Sequence, residues 1–374
     1  MTHKPPKIVH IIIGLNVGGA ELMLKRLVLN SQAKSEFKHE VISLTDLGVI
    51  GVDLKKAGIP VYTLNMKSAF SILRVYFSLK KILKQIKPDV VQTWMYHADF
   101  IGGMAAKSVG IKNIIWGIRT TDVTQGASQL TVALRNICAR LSYSIPSKIV
   151  CAAYAAKDLH GKIGYDVTKM VVIPNGFELD KLIATDEDRK FLRKELDLSD
   201  TDIVIGSVGR FNEVKNQKLF VEIAAVLVKD FPSLKFMMVG RDNDKNNKTL
   251  MGWIQGYDLE DNFRLLGQRV NVSKCLKAMD IFLLHSKTEG FPNVLGEAMA
   301  VGVIAVSTNA GDVACLIDQE FIGSDLKELQ VIINKILNNE IYTKDVILNN
   351  KKNIEENFSM NSVVSKFESL YQDC

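Results

Sequence analysis

The stretch DIFLLHSKTEGFPNVLGEAMA, residues 280–300, describes a strand, a loop and a helix in direct succession. The run from Ile281 to Leu284 is entirely apolar, which is typical of a strand that is buried on both faces. Pro292 suits the first turn of the helix that follows. The loop carries Glu289, and Glu297 lies about a turn and a half into the helix. Such units build parallel sheets wound with helices, whose ligands bind where the strands end.

The alternation of short apolar runs and helical stretches continues along the 374-residue chain. It predicts two series of strands, separated by a polar helical stretch over residues 186–200. The first series comprises residues 9–14, 39–45, 60–64, 89–94, 113–118, 148–153 and 171–175. The second comprises residues 203–209, 234–240, 262–267, 280–286 and 303–308. We therefore predict an α/β fold with two Rossmann-like doubly wound domains that face each other across a cleft.

The chain is too long for one average domain and long enough for two, each with its own core. We predict an N-terminal domain over residues 1–178 and a C-terminal domain over residues 179–358. The pattern leaves two alternatives for the last helix, in residues 359–374. It either packs on its own domain or crosses back and completes the first one.

Composition is that of an ordinary soluble globular protein, with 47% apolar and 24% charged residues. No run approaches the roughly 20 apolar residues that a membrane span needs. The apolar run Ile8–Ile13 leads into glycines and a charged helix, which indicates a first core strand and not a signal peptide. The five cysteines form no CxxC pair, so we expect reduced thiols and a cytoplasmic protein.

The charge is divided unevenly between the two halves. Residues 1–178 hold 23 Lys/Arg and 11 Asp/Glu, a net charge of +12, whereas residues 179–374 hold 24 and 30, a net charge of −6. A strongly cationic half suggests an acidic partner. Nucleic acid is not expected, because neither interleaved aromatic residues nor a binding module is visible.

Residues 71–87 predict an amphipathic helix. Its apolar face carries Ile72, Tyr76, Leu79, Leu83 and Ile86. Its opposite arc carries Arg74, Lys80, Lys81, Lys84 and Lys87. We expect the apolar face to pack on the first sheet. The basic arc is either merely solvated or rests on an anionic membrane surface, which would place the protein on the inner face of the cell membrane.

Four charged residues of the second half suit a sugar joined to a diphosphate. Arg210 and Lys215 lie between the strand 203–209 and a helix, whose N-terminal dipole disfavours cations unless an anion binds there. Arginine can hold a diphosphate with two bonds while lysine neutralises another oxygen. Glu289 can reach sugar hydroxyls, and Glu297 can accept hydrogen bonds from a ribose. The alternative is two solvated cations and two ordinary helix-end acids.

Backbone groups at two strand-to-helix turns are further candidates. The start of the helix after Pro292 is expected to direct free amides at a phosphate, namely those of Asn293, Val294 and Leu295. In the first half, a glycine-rich turn lets the backbone approach a phosphate or an acceptor closely. Its glycines, Gly14, Gly18 and Gly19, lack the GxGxxG spacing of dinucleotide-binding proteins.

Two polar motifs leave their interpretation more open. His97 follows the strand 89–94 and either binds a sugar hydroxyl or phosphate or is an ordinary packed histidine. Asp242-Asn243-Asp244 spells DxD, which holds a divalent metal in another class of sugar transferases. Because nothing around it supports that use, we interpret it as a solvated turn. We predict no metal site and no cofactor.

Taken together, these segments resemble the retaining glycosyltransferases of family 4, which have the GT-B fold. The resemblance rests on GLNVGGAE (14–21), VIPNGFE (172–178), VGRFNEVKNQ (208–217) and EGFPNVLGEAMA (289–300). The GGAE motif, TWMYHADFIGG (93–103) and WGIR (116–119) are similar to the subgroup that builds lipopolysaccharide, capsular and other bacterial surface glycans.

The resemblance implies that residues 1–178 bind the acceptor and residues 179–358 bind the nucleotide-sugar donor. It also implies a role for each matching residue. Arg210 and Lys215 would bind the donor diphosphate, and Glu297 would bind the ribose. Glu289 would hold the hydroxyls of the transferred sugar and favour its developing positive charge, and His97 would lie in the catalytic cleft. The donor site would also include Gly18, Gly19, Phe291, Pro292, Asn293, Val294 and Leu295. Two positions depart from the pattern: Gly296 replaces the usual leucine, and Thr120 stands where histidine is common.

The implied reaction is a metal-independent transfer of a hexosyl or N-acetylhexosaminyl group, with retention. The donor would be a nucleotide sugar, by preference a UDP-sugar, and the acceptor a glycan or a polyprenyl-diphosphate-linked glycan. Two other functions fit the same fold. A nucleotide-sugar epimerase would convert the donor without an acceptor, and a non-catalytic scaffold at the membrane would bind the donor without turnover.

Overall fold

The computed structural model describes residues 5–121, 128–341 and 343–373. The chain divides into two units: Met1–Gly176 together with Met360–Cys374, and Phe177–Ser359. Each unit is built on one parallel sheet whose successive strands are connected through helices. The predicted α/β fold with two Rossmann-like domains is therefore confirmed.

The first unit contains a seven-stranded sheet. Its strands are β1 (Lys7–Ile12), β2 (Lys38–Ser43), β3 (Val61–Thr63), β4 (Val90–Trp94), β5 (Ile114–Ile118), β6 (Lys148–Cys151) and β7 (Met170–Val172). Its connecting helices are α1 (Gly19–Lys34), α2 (Gly48–Lys56), α3 (Ile72–Ile86), α4 (Met95–Ser108), α5 (Gln129–Leu141) and α6 (Tyr154–Ile163). The strand order is β3-β2-β1-β4-β5-β6-β7. Strands β2 and β3 thus extend the sheet on one side of β1, and β4 to β7 extend it on the other. The strand order reverses between β1 and β4, where Ile8 pairs with Val90.

The second unit contains a six-stranded sheet in the order β10-β9-β8-β11-β12-β13. Its strands are β8 (Val204–Val208), β9 (Lys235–Val239), β10 (Phe263–Leu265), β11 (Ile281–Leu284), β12 (Ile304–Thr308) and β13 (Ile322–Gly323). Its helices are α7 (Asp186–Glu195), α8 (Gln217–Asp230), α9 (Lys248–Gln255), α10 (Val272–Lys277), α11 (Asn293–Ala300), α12 (Leu326–Leu337) and α13 (Thr343–Asn357). The edge strand β13 was not predicted, because two residues are too few to show a period.

Central strands of both sheets are buried on both faces because helices cover both sides of each sheet. All residues of β4, β5 and β11 are buried. Such strands show no regular alternation of polar and apolar residues. Their short length and the glycine or serine at their ends are therefore the signals from which the sequence predicts them. Burial of these runs is what holds each sheet together and aligns its strand ends at one edge.

The last helix, α14 (Met360–Gln372), belongs to the first unit. Its apolar side chains, among them Val363 and Phe367, lie in the same core as β1 and α1. A hydrogen bond from Ser31 Oγ to Glu368 Oε1, at 2.6 Å, joins α1 to α14 across 337 positions of sequence. The chain thus ends in the unit in which it begins.

The amphipathic helix α3 is present close to its predicted bounds, after a 3-10 turn over Ala69–Ser71. Its buried side chains are Val75, Leu79 and Leu83. They face mainly α4, because α4 already covers β1, β4 and β5. The expectation that this helix packs directly on the sheet is therefore wrong. In the described part of the chain, no helix combines the length and apolar character that crossing a bilayer requires.

A chain of buried hydrogen bonds connects the sheet of the first unit to α14. Trp94 Nε1 donates to His10 Nδ1 at 3.2 Å, so His10 must donate through Nε2 to His39 Nδ1 at 3.0 Å. His39 then donates through Nε2 to Ser31 Oγ at 2.9 Å, and Ser31 donates to Glu368. Each ring nitrogen of the two histidines thus has a single role, donor or acceptor. Both imidazoles are therefore neutral.

Burial lowers the pKa of His39 to about 4 and holds that of His10 well below its usual range, where the neighbouring His39 adds to the effect. A second proton on either ring would set two donors against each other with no acceptor between them. The unfolded chain has no such constraint and binds protons at an ordinary histidine pKa of about 6.5. The stability of the fold is therefore coupled to pH through these rings.

We predict that the first unit loses stability as the pH falls below about 6.5, because the unfolded state then binds more protons than the folded one. For His39 alone, the shift to about 4 corresponds to about 2 kcal/mol between pH 7 and pH 5. Thermal unfolding followed at a series of pH values measures the slope. The His39→Gln variant, which cannot titrate there, should show a shallower slope; an unchanged slope would contradict the assignment.

Candidate functional site

The candidate site of the second unit lies where its strand order reverses. β8 and β11 are neighbours, but β9 is added on one side of them and β12 on the other. Crossover helices therefore leave this edge of the sheet in different directions, and the loops after β8 and β11 open between them. These are the loops that carry Arg210 and Lys215 after β8, and Glu289 after β11. The fold thus brings both predicted segments to one topological switch point.

Lys215 and Glu289, 74 positions apart in sequence, form an ion pair at this edge. Lys215 Nζ lies 2.5 Å from Glu289 Oε1, and the two side chains are 26% and 13% exposed. Ser286 Oγ donates to the same carboxylate oxygen at 2.6 Å. A cation and a carboxylate are thus held together at the carboxyl edge, still accessible to a ligand.

His285, directly after β11, positions the backbone of Lys215. Its Nδ1 lies 2.5 Å from the carbonyl oxygen of Lys215, which can only accept, so Nδ1 carries the proton. Its Nε2 then accepts from Ser207 Oγ, also at 2.5 Å. Burial lowers the pKa of His285 to about 4, which keeps the ring neutral. Sequence reasoning missed this residue, because a histidine ending a strand has no distinctive spacing.

Side chains from two other segments brace the loop that carries Arg210. Gln217 is buried, and its Nε2 donates to the carbonyl oxygen of Arg210 at 2.9 Å. Asn243 Nδ2 donates to the carbonyl oxygen of Gly209 at 2.5 Å. Asn212 Oδ1 accepts from the amide of Lys215 at 2.9 Å. The backbone is thus fixed while the Arg210 side chain extends into solvent.

The DxD triplet departs from the expected solvated turn at its central residue. Asn243 is 2% exposed and reaches back to β8, whereas Asp242 is an exposed residue in the left-handed region with a φ of 64°. The triplet therefore braces the loop after β8. Among the described residues, no group of three or more His, Cys, Asp or Glu side chains could hold a metal ion.

The loop that carries Glu289 is packed against a neighbouring turn. Gly311 has a φ of +61°, and a Cβ added there would lie 2.4 Å from the carbonyl oxygen of Gly290. The amide of Asp312 donates to that same oxygen at 3.0 Å. Thr308 Oγ1 donates to the carbonyl oxygen of Ser286 at 2.7 Å. A side chain at position 311 would displace the backbone around Glu289.

The helix α11 begins as predicted after Pro292, but its first amides are not all free. The amide of Asn293 donates to Phe291 O at 3.0 Å, and that of Leu295 donates to Pro292 O at 3.1 Å. The expectation of three outward amides is therefore wrong for these two, because the tight turn uses them. Phe291, Pro292 and Leu295 are buried, whereas Asn293 is exposed and Val294 and Glu297 are half-buried.

The first unit has its own switch point between β1 and β4. The turn after β1 contains Gly18, which is the N-cap of α1, and Gly19. A Cβ added to Gly19 would meet no atom within 4 Å. The carboxylate of Glu21 folds over Gly18: a Cβ there would lie 2.3 Å from Oε2. Partial burial raises the pKa of Glu21. The sequence pattern assigned no separate role to Glu21, which lies in the first turn of α1.

His97 follows β4 at the same edge. The strand passes directly into α4 through Met95, a non-glycine residue with a φ of 70°, so the turn is tight and strained. His97 is half-buried, and burial lowers its pKa. It lines a cavity of about 270 Å³ together with mostly apolar side chains: Ile13, Met66, Lys67, Ser68, Ile72, Phe100, Ile101, Leu130 and Leu134.

Comparison with known proteins gives a family for this arrangement. Residues 17–181 match the family model described as Glycosyltransferase Family 4, and residues 188–353 match the one described as Glycosyl transferases group 1. The chain belongs to the GT-B glycosyltransferases.

Two relatives and one solved structure illustrate the similarity of this glycosyltransferase to known proteins. UDP-Gal:alpha-D-GlcNAc-diphosphoundecaprenol alpha-1,3-galactosyltransferase of Escherichia coli is 28% identical over 314 residues, which cover 80% of this chain and 79% of the relative. Capsular polysaccharide biosynthesis glycosyltransferase CapH of Staphylococcus aureus is 25% identical over 305 residues, 81% of each chain. Anabaena Alr3699/HepE in complex with UDP has a TM-score of 0.85 at 20% identity, covering 98% of this chain and 100% of that one.

The glycosyltransferase has an internal reason for Gly296, the position where the family pattern usually has leucine. The ring of Phe177 fills the space beside it: a Cβ on Gly296 would lie 2.3 Å from Phe177 Cζ. Phe177 is buried and also packs against Phe291, which in turn packs against Phe358. The ring of Phe177 thus occupies the volume under α11 that a side chain at position 296 would need.

We predict that Gly296→Ala lowers the free energy of unfolding of the second unit by about 1–3 kcal/mol, because the added methyl group overpacks this volume. Combining it with Phe177→Leu should recover part of the loss, since the smaller side chain frees space. Urea unfolding of both single variants and the double variant measures the coupling. Gly252→Ala in α9, where a Cβ meets nothing within 4 Å, is the matched control and should not destabilise. Purely additive effects would disprove the shared volume.

Proposed function

We propose that this glycosyltransferase transfers a sugar, with retention, from a UDP-sugar to a lipid-linked glycan acceptor during the assembly of a bacterial surface polysaccharide. The observation that carries the proposal is the Lys215–Glu289 pair, 2.5 Å apart at the β8–β11 switch point. One side chain offers positive charge to a diphosphate and the other offers acceptor oxygens to sugar hydroxyls. A nucleotide sugar presents these two groups next to each other.

Lys215 and Arg210 bind the diphosphate in this proposal. The ammonium of Lys215 already has a defined position, because its own backbone is held by His285 and Asn212. The exposed guanidinium of Arg210 is free to close on a second phosphate oxygen with two hydrogen bonds. Preformed placement of one cation reduces the ordering that binding requires.

Glu289 binds hydroxyls of the transferred sugar, and Glu297 binds the ribose. With the donor in place, Lys215 lies between the phosphate and the Glu289 carboxylate, and the second oxygen of that carboxylate accepts from the sugar. The carboxylate also stabilises positive charge that develops at the anomeric carbon. Charge-assisted bonds of this type contribute on the order of 1.5–3 kcal/mol each.

The transfer itself proceeds on the face of the sugar from which the leaving group departs. The acceptor hydroxyl oxygen forms a bond to the anomeric carbon while the bond from that carbon to the diphosphate oxygen breaks. The proton of the acceptor passes to the departing diphosphate. Lys215 and Arg210 stabilise the negative charge that grows there, an interaction stronger in the transition state than in the ground state.

His97 and its cavity are proposed to serve the acceptor. The imidazole can exchange hydrogen bonds with an acceptor hydroxyl, while the surrounding apolar side chains suit the less polar part of a lipid-linked glycan. The donor and acceptor classes are supported by the comparisons. The Escherichia coli relative uses UDP-Gal and a diphosphoundecaprenol-linked acceptor, and Alr3699/HepE binds UDP.

We predict that Lys215→Ala lowers kcat by about 100-fold or more, because charge on the leaving diphosphate loses its stabilising cation. Release of UDP from UDP-glucose, UDP-galactose and their N-acetylhexosamine counterparts, with a short-chain lipid-linked glycan as acceptor, gives the rates. Lys287→Ala is the matched control, since Lys287 pairs with Glu213 across the same two loops at 3.1 Å and is exposed. It should keep wild-type turnover. Equal rates for Lys215→Ala and wild type would reject the diphosphate assignment.

We also predict that the product keeps the anomeric configuration of the donor, because no second carboxylate is assigned to activate the acceptor from the opposite face. Proton NMR of the glycosylated product reads the configuration from the anomeric coupling constant. An inverted product would disprove the proposed geometry of attack. Conversion of the donor sugar without any acceptor would instead indicate an epimerase, and donor binding without turnover would indicate a scaffold.

A further inference from the structure

A second cavity of the second unit, of about 290 Å³, lies beside the loop after β8. Two aromatic side chains line it: Phe211 from that loop and Trp253 from α9, whose ring centroids are 5.7 Å apart and whose planes are inclined by 31°. The backbone of Phe211 is fixed, because its amide donates to the carbonyl oxygen of Arg241 at 2.8 Å. Trp253 is only half-buried. The cavity therefore presents preformed aromatic surface that a ligand can reach.

This cavity, called the aromatic pocket, is formed by Phe211, Asn216, Lys218, Thr249, Trp253 and Lys287, with further residues of the loop after β8. Neither Lys215 nor Glu289 is among the residues that line it. The loop after β8 thus contributes to two sites. Lys215 pairs with Glu289 at one of them, while the next residue along the chain, Asn216, lines the other.

Polar groups beside the two rings can exchange hydrogen bonds with a ligand. Asn216 precedes α8 with a φ of 57°, and its side chain does not cap that helix, which leaves its amide group for a ligand. Thr249 is exposed and lies one turn before Trp253, so its hydroxyl and the indole are on the same side of α9. The pocket therefore combines aromatic ring faces with hydrogen-bond donors and acceptors.

The two lysines of the pocket already have counter-charges. Lys287 Nζ lies 3.1 Å from Glu213 Oε1, and Lys218 Nζ lies 3.7 Å from Glu222 Oε1. An anionic ligand would have to compete with a carboxylate at each lysine. The ammonium groups can still donate to a neutral oxygen, since each has three N–H bonds. The charge distribution thus favours a neutral ligand rich in hydroxyl groups over a phosphate.

We propose that the aromatic pocket binds one neutral pyranose ring, a hexose or N-acetylhexosamine unit of a glycan, as an accessory site apart from the site of transfer. Aromatic ring faces carry partial negative charge, which attracts the weakly positive C–H groups on the apolar face of a pyranose. The sugar hydroxyls meet Asn216, Thr249 and the lysines. A cavity of about 290 Å³ is at the lower end of the range for small-molecule sites, which suits a single ring.

A sugar ring fits this pocket better than a purely apolar ligand or a nucleotide does. An apolar ligand would displace water from Asn216 and Thr249 without replacing its hydrogen bonds. A nucleotide base would stack on the rings, but its phosphates would meet lysines that already pair with glutamates. A pyranose has an apolar face and a margin of neutral hydroxyls, which match the two kinds of side chain in the pocket.

The inference does not require the proposed reaction, because the pocket and the Lys215–Glu289 pair consist of different side chains. Methyl glycosides separate the two sites, since they contain a complete pyranose ring but no diphosphate. The Lys215→Ala variant should bind them as wild type does, and saturating UDP should not displace them. Loss of transfer in Lys215→Ala and absence of glycoside binding are therefore independent results.

Tryptophan fluorescence of the full-length chain measures occupancy of the pocket. The chain has three tryptophans, and the other two, Trp94 and Trp116, are fully buried in the first unit. The probes are the methyl α-glycosides of glucose, galactose, N-acetylglucosamine and N-acetylgalactosamine. We expect at least one of them to change the emission of Trp253 saturably in the millimolar range. No saturable change with any of them, displacement by UDP, or tighter binding of methyl glucuronide would overturn the proposal.

Two variants alter the pocket in different ways. Trp253→Leu keeps an apolar side chain but removes the aromatic face, so the affinity for the glycoside should fall about fivefold or more. Because this variant lacks the fluorescent reporter, saturation-transfer NMR of the glycoside compares it with wild type. Thr249→Tyr, at an exposed position of α9, should fill the pocket and block binding without removing a buried side chain.

Tyr257→Leu is the matched control, because Tyr257 is a 49% exposed aromatic residue just after α9 that does not line the pocket. It should bind the glycoside like wild type. Thermal unfolding shows whether each variant is folded. If either pocket variant, once folded, binds the glycoside as tightly as wild type, the proposal is wrong. Equal weakening by Tyr257→Leu would show that the sugar adheres to exposed aromatic rings without a defined site, and would overturn it as well.

Discussion

Parallel strands end at one edge of a sheet, and that constraint governs both candidate regions of this glycosyltransferase. Each sheet is wound outward in two directions from a central pair of strands, β1 and β4 in one unit and β8 and β11 in the other. Helices leave such a pair on opposite sides, so a gap opens at its carboxyl edge. The glycine turn and His97 follow the first pair, and the Lys215–Glu289 ion pair follows the second. Burial of apolar strands, which stabilises the fold, is therefore also what assembles the polar groups.

Neutral hydrogen bonds from buried side chains hold the loop after β8, while the charged groups remain accessible. Gln217, Asn243 and His285 each bind a backbone carbonyl of the loop after β8. An ion pair that is partly exposed, such as Lys215–Glu289, contributes at most about 1 kcal/mol to stability. Its presence is thus better explained by ligand binding than by folding. The loop is ordered by side chains other than Lys215 and Glu289, which leaves these two charges available to the proposed donor.

The first unit separates structural and surface roles in a similar way. Its histidine pair, His10 and His39, is enclosed between the sheet and α14, where every hydrogen bond has a fixed direction. Helix α3, in contrast, buries one apolar stripe against α4 and leaves another in solvent among cations. One amphipathic helix therefore contributes Leu79 and its neighbours to the core, while Leu73 and Phe77 on its other side stay exposed.

The sequence by itself determined the fold class and the segments from which the candidate site is built. Apolar runs, glycines at strand ends and helix-starting residues are local signals, because they report the environment of single strands and helices. The tertiary structure decided what no local period encodes: the pairing of Lys215 with Glu289, the exclusion of a side chain at Gly296 by Phe177, the roles of His285 and Asn243, and the place of α14. It also showed that Phe70, Leu73 and Phe77 are exposed, although their apolar character suggested nothing of the kind. These contacts join residues far apart in sequence, so they depend on strand order and on the volume between packed elements, which become defined only when the whole unit folds.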